Sequence, residues 1–312
     1  MIDIDKVALC VPTLNAGAAW VDWLVAWSDQ LPRPHALVID SGSADATAAL
    51  ADAVGLRVCS IPRASFNHGG TRQQAVGMLD DAEIVIFMTQ DAILAAPDSI
   101  RNLLAAFDDP AVGAACGRQL PHTHAGHIAA HARQFNYPES GAVRSAADIP
   151  ALGIRTAYLS NSFAAYRKTA LMSVGGFPRD VIFGEDMYVA ARMLLSGWKL
   201  AYRADAAVRH SHDYGMGQEF RRYFDVGVMH AREPWLLQKL GKPEGEGMRF
   251  VRSETAWLWK RAPWLIPSAW LRTLLKLAGY RLGRIESRLP LWLKRRLGML
   301  RGYWKESSET LP

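Results

Sequence analysis

The sequence has few cysteines and no long hydrophobic run. Its three cysteines, Cys10, Cys59 and Cys116, are widely spaced and form no CxxC pair. This spacing argues against a disulfide framework or a thiolate zinc site and favours a reducing compartment. The N-terminal residues have neither the basic start nor the long apolar run of a secretory signal peptide. No stretch of about 18 residues is free of both charge and proline, so a membrane-spanning helix is not expected.

What is present is a large apolar fraction and an uneven charge. Half of the 312 residues are apolar, which suffices for one large domain with or without an appendage. The net charge is +6, yet residues 1–233 sum to −4 and residues 234–305 to +12. Seven of the eleven tryptophans also follow residue 233. A basic, tryptophan-rich tail behind a slightly acidic body indicates contact with an anionic membrane surface or a nucleic acid.

Hydrophobic patterning in the first third of the chain predicts strands that alternate with helices. The apolar runs with the character of buried strands are 7–14, 35–40, 56–61 and 82–92. Between the first two runs, the residues spaced as one helix face are Trp20, Trp23, Leu24 and Trp27. Strands and helices that alternate at short spacing predict a parallel sheet covered by helices.

Polar residues follow these strands where the strands end. Asp40 ends the second strand, the loop 62–72 follows the third, and Asp91 ends the fourth. Open α/β sheets bind their ligands at the carboxyl ends of strands. We therefore expect these three positions to contribute to a single site.

The middle of the chain is more mixed, and the tail differs from both. The predicted elements are a strand at 113–120, a helix at 122–138, a strand turning into a helix at 158–171, a helix at 184–198 and a strand at 199–212. The prolines that divide the tail are Pro234, Pro243, Pro263, Pro267 and Pro290. Between them, 269–284 and 291–304 are basic amphipathic segments typical of helices in a membrane interface. The alternative is that their apolar faces pack on the main domain. No nucleic-acid motif accompanies the basic residues.

The order of several motifs resembles that of a known enzyme family. The motifs are VPTLNAG (11–17), VIDSGSADAT (38–47), FMTQDA (87–92) and GGF…FGEDM (175–187). They occur in the order found in inverting, GT-A-type family 2 glycosyltransferases. SFNHGGTRQQAV, GRQLP, ARQFNYP, SNSFAAYRKTAL and HSHDY resemble more narrowly the bacterial rhamnosyltransferases of O-antigen and exopolysaccharide synthesis. The resemblance covers about residues 5–232.

The resemblance implies an α/β fold of the GT-A type, a mixed sheet flanked by helices. We predict this domain over residues 1–233 and a basic amphipathic helical tail over 234–312. The implied donor-nucleotide residues are Pro12, Thr13, Asn15, Asp40, Arg63, Phe66, Asn67, Gly70, Arg72 and Gln90. Among them Asp40 would accept the base N–H, although a helix-capping role is an alternative. Arg72 would lie near the diphosphate, with Gly69 and Gly70 permitting close approach.

The family's Asp-x-Asp metal motif is incomplete in this chain. Here it reads Thr89–Gln90–Asp91, with one carboxylate. We predict that Asp91 binds Mg²⁺ or Mn²⁺ together with His210 or His212, which share a face if their segment is a strand. The alternative is that both histidines only cap a strand end. The histidines of 122–131 lack an HExxH pattern and are interpreted as part of an acceptor-side loop.

Asp186 is the candidate general base of an inverting transfer, with Glu185 orienting or contacting the acceptor. Acidic residues that complement a helix dipole are the alternative interpretation of this pair. Arg118, Gln119 and Asn161 are assigned to the sugar or the acceptor.

The leading hypothesis is transfer of L-rhamnose from dTDP-L-rhamnose to a lipid-linked glycan. The protein would act at the cytoplasmic face of the bacterial inner membrane, held there by an anionic surface and binding no nucleic acid. Alternatives are a UDP- or GDP-sugar donor, a sugar-phosphate nucleotidyltransferase and a non-catalytic nucleotide-sugar binder. The sequence fixes neither the acceptor nor the oligomeric state.

Overall fold

In a computed structural model the described residues are 2–242 and 245–304, and within them nine strands form one mixed sheet. The strands are β1 (Val7–Thr13), β2 (His35–Asp40), β3 (Arg57–Ser60), β4 (Ile84–Met88), β5 (Ile93–Leu94), β6 (Val112–Leu120), β7 (Ala142–Arg144), β8 (Phe163–Arg167) and β9 (Lys199–Arg209). Their order is β3-β2-β1-β4-β8-β6-β9-β5, with β7 on β9. The sequence predicted the larger strands but not the short β5 and β7.

The sheet is parallel on one side and mixed on the other. β1 pairs in parallel with β2 and β4, and β2 pairs in parallel with β3. β8 runs antiparallel between β4 and β6, and β6 pairs in parallel with β9. The carboxyl ends of β1, β2, β3 and β4 therefore lie at one edge of the sheet.

Helices cover both faces of this sheet. They are α1 (Ala19–Ser28), α2 (Thr47–Ala53), α3 (His68–Met78), α4 (Ser99–Leu104), α5 (His127–Asn136), α6 (Ile149–Leu152), α7 (Lys168–Ser173), α8 (Glu185–Leu195), α9 (Met216–Arg232), α10 (Pro234–Leu240), α11 (Glu246–Arg261), α12 (Ile266–Arg284) and α13 (Leu291–Leu297). Helix α5 is shorter than predicted, because residues 122–126 form a turn before it.

The side-chain alternation of β1 separates two hydrophobic layers. Val7, Leu9 and Val11 pack on one face of the sheet with the tryptophans of α1. Ala8 and Cys10 pack on the opposite face, in the layer that includes α3 and α8. Because successive strand residues point to opposite faces, a strand with both faces covered is apolar throughout. The predicted apolar face of α1 is buried.

The C-terminal helices pack closely on the rest of the chain. A Cβ atom on Gly283 of α12 would lie 2.1 Å from the carbonyl oxygen of Phe224 in α9, and one on Gly227 of α9 would lie 2.3 Å from that of Tyr280. Only glycine allows two helix backbones to approach so closely. Further along, buried Asp225 of α9 accepts the backbone N–H of Leu300 at 3.0 Å.

The predicted tail thus has two kinds of surface. Leu236, Leu240 and Trp304 lie in the core layer that also contains α8, whereas several tryptophans of the same segment are exposed. Residues 243, 244 and 305–312 of the tail, including Pro243, lie outside the described residues. Among the described helices, none combines the length and apolar character needed to cross a bilayer.

Candidate active site

A cavity of about 600 Å³ lies where the sheet meets the helices α5, α8, α9, α11 and α12. Its floor includes Thr89, Gln119 and the segment 158–162. Glu185 and Asp186 line it at the start of α8, and His210 and His212 line it after β9. The part of the wall that belongs to the C-terminal helices is formed by Phe250, Leu265, Arg272 and Lys276. The sequence did not predict that the tail contributes to the site.

Asp186 begins α8 as a partly buried carboxylate at the cavity. Its Oδ2 accepts the backbone N–H of Asn161 at 3.1 Å, and its Oδ1 accepts that of Met187 at 2.8 Å. Burial and the adjacent negative charge of Glu185 raise the pKa of Asp186 above its ordinary range. A carboxyl group whose pKa is shifted toward neutrality is suited to accept a proton during a reaction.

Glu185 is held within the protein by a buried network. Its Oε1 lies 2.9 Å from a guanidinium nitrogen of Arg72 and accepts the side-chain N–H of Asn161 at 3.0 Å. Tyr166 donates its hydroxyl proton to Asn161 Oδ1 at 2.7 Å. Burial raises the pKa of Glu185, but the charges of Arg72 and His68 and the hydrogen bond from Asn161 together outweigh burial and lower that pKa. Glu185 therefore stays ionised and acts electrostatically on Asp186.

Arg72 lines the cavity, but its guanidinium is engaged by the protein. Besides Glu185, it donates to the carbonyl oxygen of His68 at 2.9 Å. The close approach at Gly69 also has a protein partner, because a Cβ there would lie 1.8 Å from the carbonyl oxygen of Pro178. Gly70 donates its N–H to Asn67 Oδ1 at 2.7 Å as part of the cap of α3. The predicted phosphate loop thus contacts Pro178 and Glu185, in the segment that leads into α8.

The other predicted donor residues are connected at the edge where β1, β2 and β4 end. Thr13 donates its hydroxyl to Asp40 at 2.9 Å, and the amide of Gln90 bonds both backbone groups of Leu14. Asp40 also accepts the N–H of Ser43, and these bonds outweigh burial and lower its pKa. Asp40 therefore organises the turn before α2.

The remaining donor residues lie beside this edge rather than in the cavity wall. Asn15 accepts the N–H of Ala44 at 2.8 Å. Arg63 begins a short turn after β3, and the ring of Phe66 lies edge-on to that of His68, with centroids 5.1 Å apart. Pro12 lies in β1 opposite Ile39. Within the described part of the chain, Arg72 is the member of the predicted donor set that lines the cavity.

Asp91, His210 and His212 form a cluster with the composition of a metal site. Their ligand atoms all lie within 4.8 Å of one another, and the carboxylate of Asp91 is 3.5 Å from His210 Nε2 and 3.7 Å from His212 Nε2. These separations exceed hydrogen-bond length. Burial, followed by the charge of His210, lowers the pKa of His212 to about 4, so its ring is neutral near pH 7.

Gln119 orients one of these rings. His210 Nδ1 lies 2.9 Å from Gln119 Oε1, which also accepts a guanidinium N–H of Arg133. A carbonyl oxygen accepts, so Nδ1 donates its proton to Gln119 and Nε2 is the ring nitrogen that faces Asp91. One carboxylate beside two imidazole rings is a ligand set that suits Mn²⁺.

Arg118 and Asn161, also assigned to the sugar or acceptor, are placed differently. Arg118 is not in the cavity wall and pairs with exposed Glu139 at 3.1 Å. Asn161 lines the cavity, but its side chain bonds Glu185 and Tyr166. The backbone N–H of Asn161 itself donates to Asp186 and positions that side chain. A strand-end motif could indicate the location of these residues but not their bonding partners.

Comparison with known proteins bears on this site. Residues 5–225 match the family described as Glycosyltransferase like family 2. The chain is 50% identical over 301 residues to the O-antigen chain rhamnosyltransferase RfbN of Salmonella typhimurium strain LT2, covering 96% of each. It is 47% identical over 303 residues to the O-antigen chain rhamnosyltransferase WbaN of Salmonella anatum, again covering 96% of each.

Solved structures share the fold at lower identity. The mannosyltransferase PcManGT from Pyrobaculum calidifontis, in complex with GDP-Man and Mn²⁺, is 21% identical with a TM-score of 0.54, covering 96% of this chain and 84% of that one. TarS 1-349 from S. aureus is 16% identical with a TM-score of 0.55, covering 91% of each. The predicted GT-A-type mixed α/β fold is confirmed.

Proposed function

The chain belongs to the glycosyltransferase like family 2 and is a glycosyltransferase, and from this premise we propose that it transfers L-rhamnose from dTDP-L-rhamnose to a lipid-linked glycan. The family resemblance seen in the sequence is confirmed, and the relatives named above act in O-antigen synthesis. The observation that carries the proposal is a carboxylate of raised pKa, Asp186, in one cavity with the two histidines of a metal-type cluster.

Asp186 acts as the general base. The acceptor hydroxyl oxygen attacks the anomeric carbon as the bond from that carbon to the diphosphate oxygen breaks, and its electron pair leaves with the diphosphate. The hydroxyl proton passes to Asp186, and the configuration inverts because attack and departure occur on opposite sides of the sugar. The backbone N–H of Asn161 holds this carboxylate in place, and Glu185, which is paired with Arg72, holds the side chain of Asn161.

Asp91, His210 and His212 are the residues that would hold a divalent ion. Their donor set of one carboxylate and two imidazoles fits such an ion, as argued from the orientation of His210. When bound, the ion supplies neutralising charge to the diphosphate of the donor. Gln119 keeps His210 in the ligating tautomer.

A donor panel tests the proposed function. We expect dTDP-L-rhamnose with MnCl₂ to raise the melting temperature of the protein and to release dTDP when a glycan-diphospholipid extract is added. UDP- and GDP-sugars should do neither. Asp91→Ala should lose the shift caused by MnCl₂ alone.

Other results would identify the alternatives. Release of UDP or GDP would assign a different donor. Pyrophosphate release from a nucleoside triphosphate would indicate a nucleotidyltransferase. Donor binding without turnover in any extract would indicate a binding protein.

We further propose that the C-terminal helices place the enzyme on the cytoplasmic face of the bacterial inner membrane. Trp259, Trp264 and Trp292 are 72%, 73% and 64% exposed, and Leu274 is 63% exposed. Exposed lysines and arginines surround them, in a segment whose net charge is +12. Exposed aromatic rings beside basic residues match the chemistry of an anionic lipid interface.

Vesicle binding tests this surface. Replacing Trp259, Trp264 and Trp292 by Ser should weaken sedimentation with vesicles of phosphatidylglycerol and phosphatidylethanolamine by about 10²- to 10⁴-fold, since each inserted ring contributes about 1–2 kcal/mol. The matched control is Val21→Ser with Val25→Ser, which removes exposed apolar side chains from α1. Equal binding by all three proteins, or binding only to neutral phosphatidylcholine, would refute the proposal.

A further inference from the structure

Arg222 is a cation of the cavity wall that pairs with no acidic side chain in the described part of the chain. It projects from α9, and its guanidinium carbon lies 3.5 Å from the centroid of the Phe183 ring. In residues 2–242 and 245–304, the guanidinium group of Arg222 makes neither an ion pair nor a hydrogen bond with another side chain or with a backbone group. Arg72 and Arg272, which line the same cavity, are engaged by Glu185 and by Glu219.

An unpaired guanidinium in such a place has a cost. Burial lowers the pKa of Arg222, and the surrounding negative charges offset this only in part. Removing a charged group from water without a partner is unfavourable, so unpaired charges in cavities are retained where a ligand completes them. The planar fork of N–H donors matches the oxygens of a phosphate group.

The position of Arg222 indicates which part of the substrate it would contact. Arg222 shares one cavity wall with His212 of the metal-type cluster and with Asp186 at the start of α8. Phe183, on which it stacks, is three residues before Asp186 in the chain. The leaving group of the transfer must occupy this space, with the anomeric carbon toward Asp186.

We infer that Arg222 binds the β-phosphate of the nucleotide-sugar donor and stabilises the charge that develops on it, an inference that rests on the proposed function. As the bond between the anomeric carbon and the diphosphate oxygen breaks, the electron pair stays on that oxygen. Arg222 donates hydrogen bonds to the diphosphate and keeps its own protons, while the acceptor proton goes to Asp186. Arg222 is thus a catalytic residue that contacts the leaving group.

Nucleotides with and without the second phosphate test this inference. In Arg222→Gln we expect the Kd of dTDP to rise by about 10- to 100-fold and that of dTMP to stay within about twofold, measured calorimetrically at constant MnCl₂. The turnover number should fall by about 10²–10³, the loss typical of removing a donor to a developing anion. Arg222→Lys should retain part of the dTDP affinity, and Arg221→Gln, a neighbour on α9 outside the cavity wall, should behave as wild type.

Each other outcome has a defined meaning. Equal weakening of dTDP and dTMP, or no weakening of either, overturns the assignment. An unchanged dTDP affinity with a raised KM for the acceptor would place Arg222 on an acceptor phosphate instead and also overturns it. If Arg222→Gln does not fold, Arg222→Lys tests the inference by the same comparison of its Kd for dTDP with its Kd for dTMP. If wild-type protein binds no nucleoside diphosphate, the proposed function itself fails.

Discussion

Asp186→Asn should lower the turnover number by about 10³-fold while the Kd of dTDP changes little, because the amide cannot accept the acceptor proton. The substitution keeps the shape of the side chain, and the remaining amide oxygen can still accept the backbone N–H of Asn161. A loss of turnover would therefore indicate the loss of the general base. Transfer measured by dTDP release, beside nucleotide affinity, separates the two effects. Full turnover in Asp186→Asn would contradict the assignment.

A matched control exists in the same cavity. Asp213 is also a lining carboxylate, but it is exposed and accepts the backbone N–H of Gly126 at the start of α5. Asp213→Asn should retain transfer within about threefold. A comparable loss in both variants would indicate a general electrostatic effect of the cavity rather than one base.

The pH dependence follows from the raised pKa of Asp186. The base works only when deprotonated, so kcat/KM should rise with pH through a pKa above that of an ordinary carboxyl group. Glu185→Gln removes the adjacent negative charge, and this should move the acid limb of the profile to lower pH. If the acid limb of the profile does not move in Glu185→Gln, that limb does not report the titration of Asp186.

Arg72→Met should lower the free energy of unfolding by about 3–5 kcal/mol, because it leaves the buried charge of Glu185 without its partner. Arg72 and Glu185 are 4% and 6% exposed. Urea denaturation measures the change. The double variant Arg72→Met with Glu185→Leu should recover much of the loss, since no charge then remains unpaired.

The ion pair of Arg118 and Glu139 is the control for that experiment. Glu139 is largely exposed, so Arg118→Met should cost less than about 1 kcal/mol. If Arg72→Met costs no more than Arg118→Met, the buried ion pair of Arg72 and Glu185 does not stabilise the protein.

The sequence predicted the fold where local patterns and topology agree. Continuous apolar runs identify strands covered on both faces, and Asp40 ends β2 as predicted. The prediction that Asp91 ends the fourth strand was wrong, because β4 ends at Met88 and Asp91 lies in the turn before β5. The antiparallel insertion of β8 between β4 and β6 required long-range pairing that no local pattern encodes. Strands as short as β5 and β7 carry no readable periodicity.

For the site, residue types were more predictable than partners. The carboxylates after GGF…FG were found by motif, but the bond of Glu185 to Arg72 joins residues that are far apart in sequence. The same holds for Gly69, whose neighbour is the carbonyl of Pro178 rather than a ligand. Arg222 carried no signal of its own, because a single arginine in a basic helix looks the same whether paired or free.

Helix α12 has one face packed on α9, one face at the cavity and one face exposed to solvent. Gly279 and Gly283 press one side against α9, Arg272 and Lys276 line the cavity from a second side, and Trp270 and Leu274 point outward from a third. A shortened version of the protein ending at residue 233, the boundary suggested by composition, would therefore lack part of the cavity wall and would expose the face of α9 on which α12 packs. Expression and inhibitor screening should use the whole polypeptide.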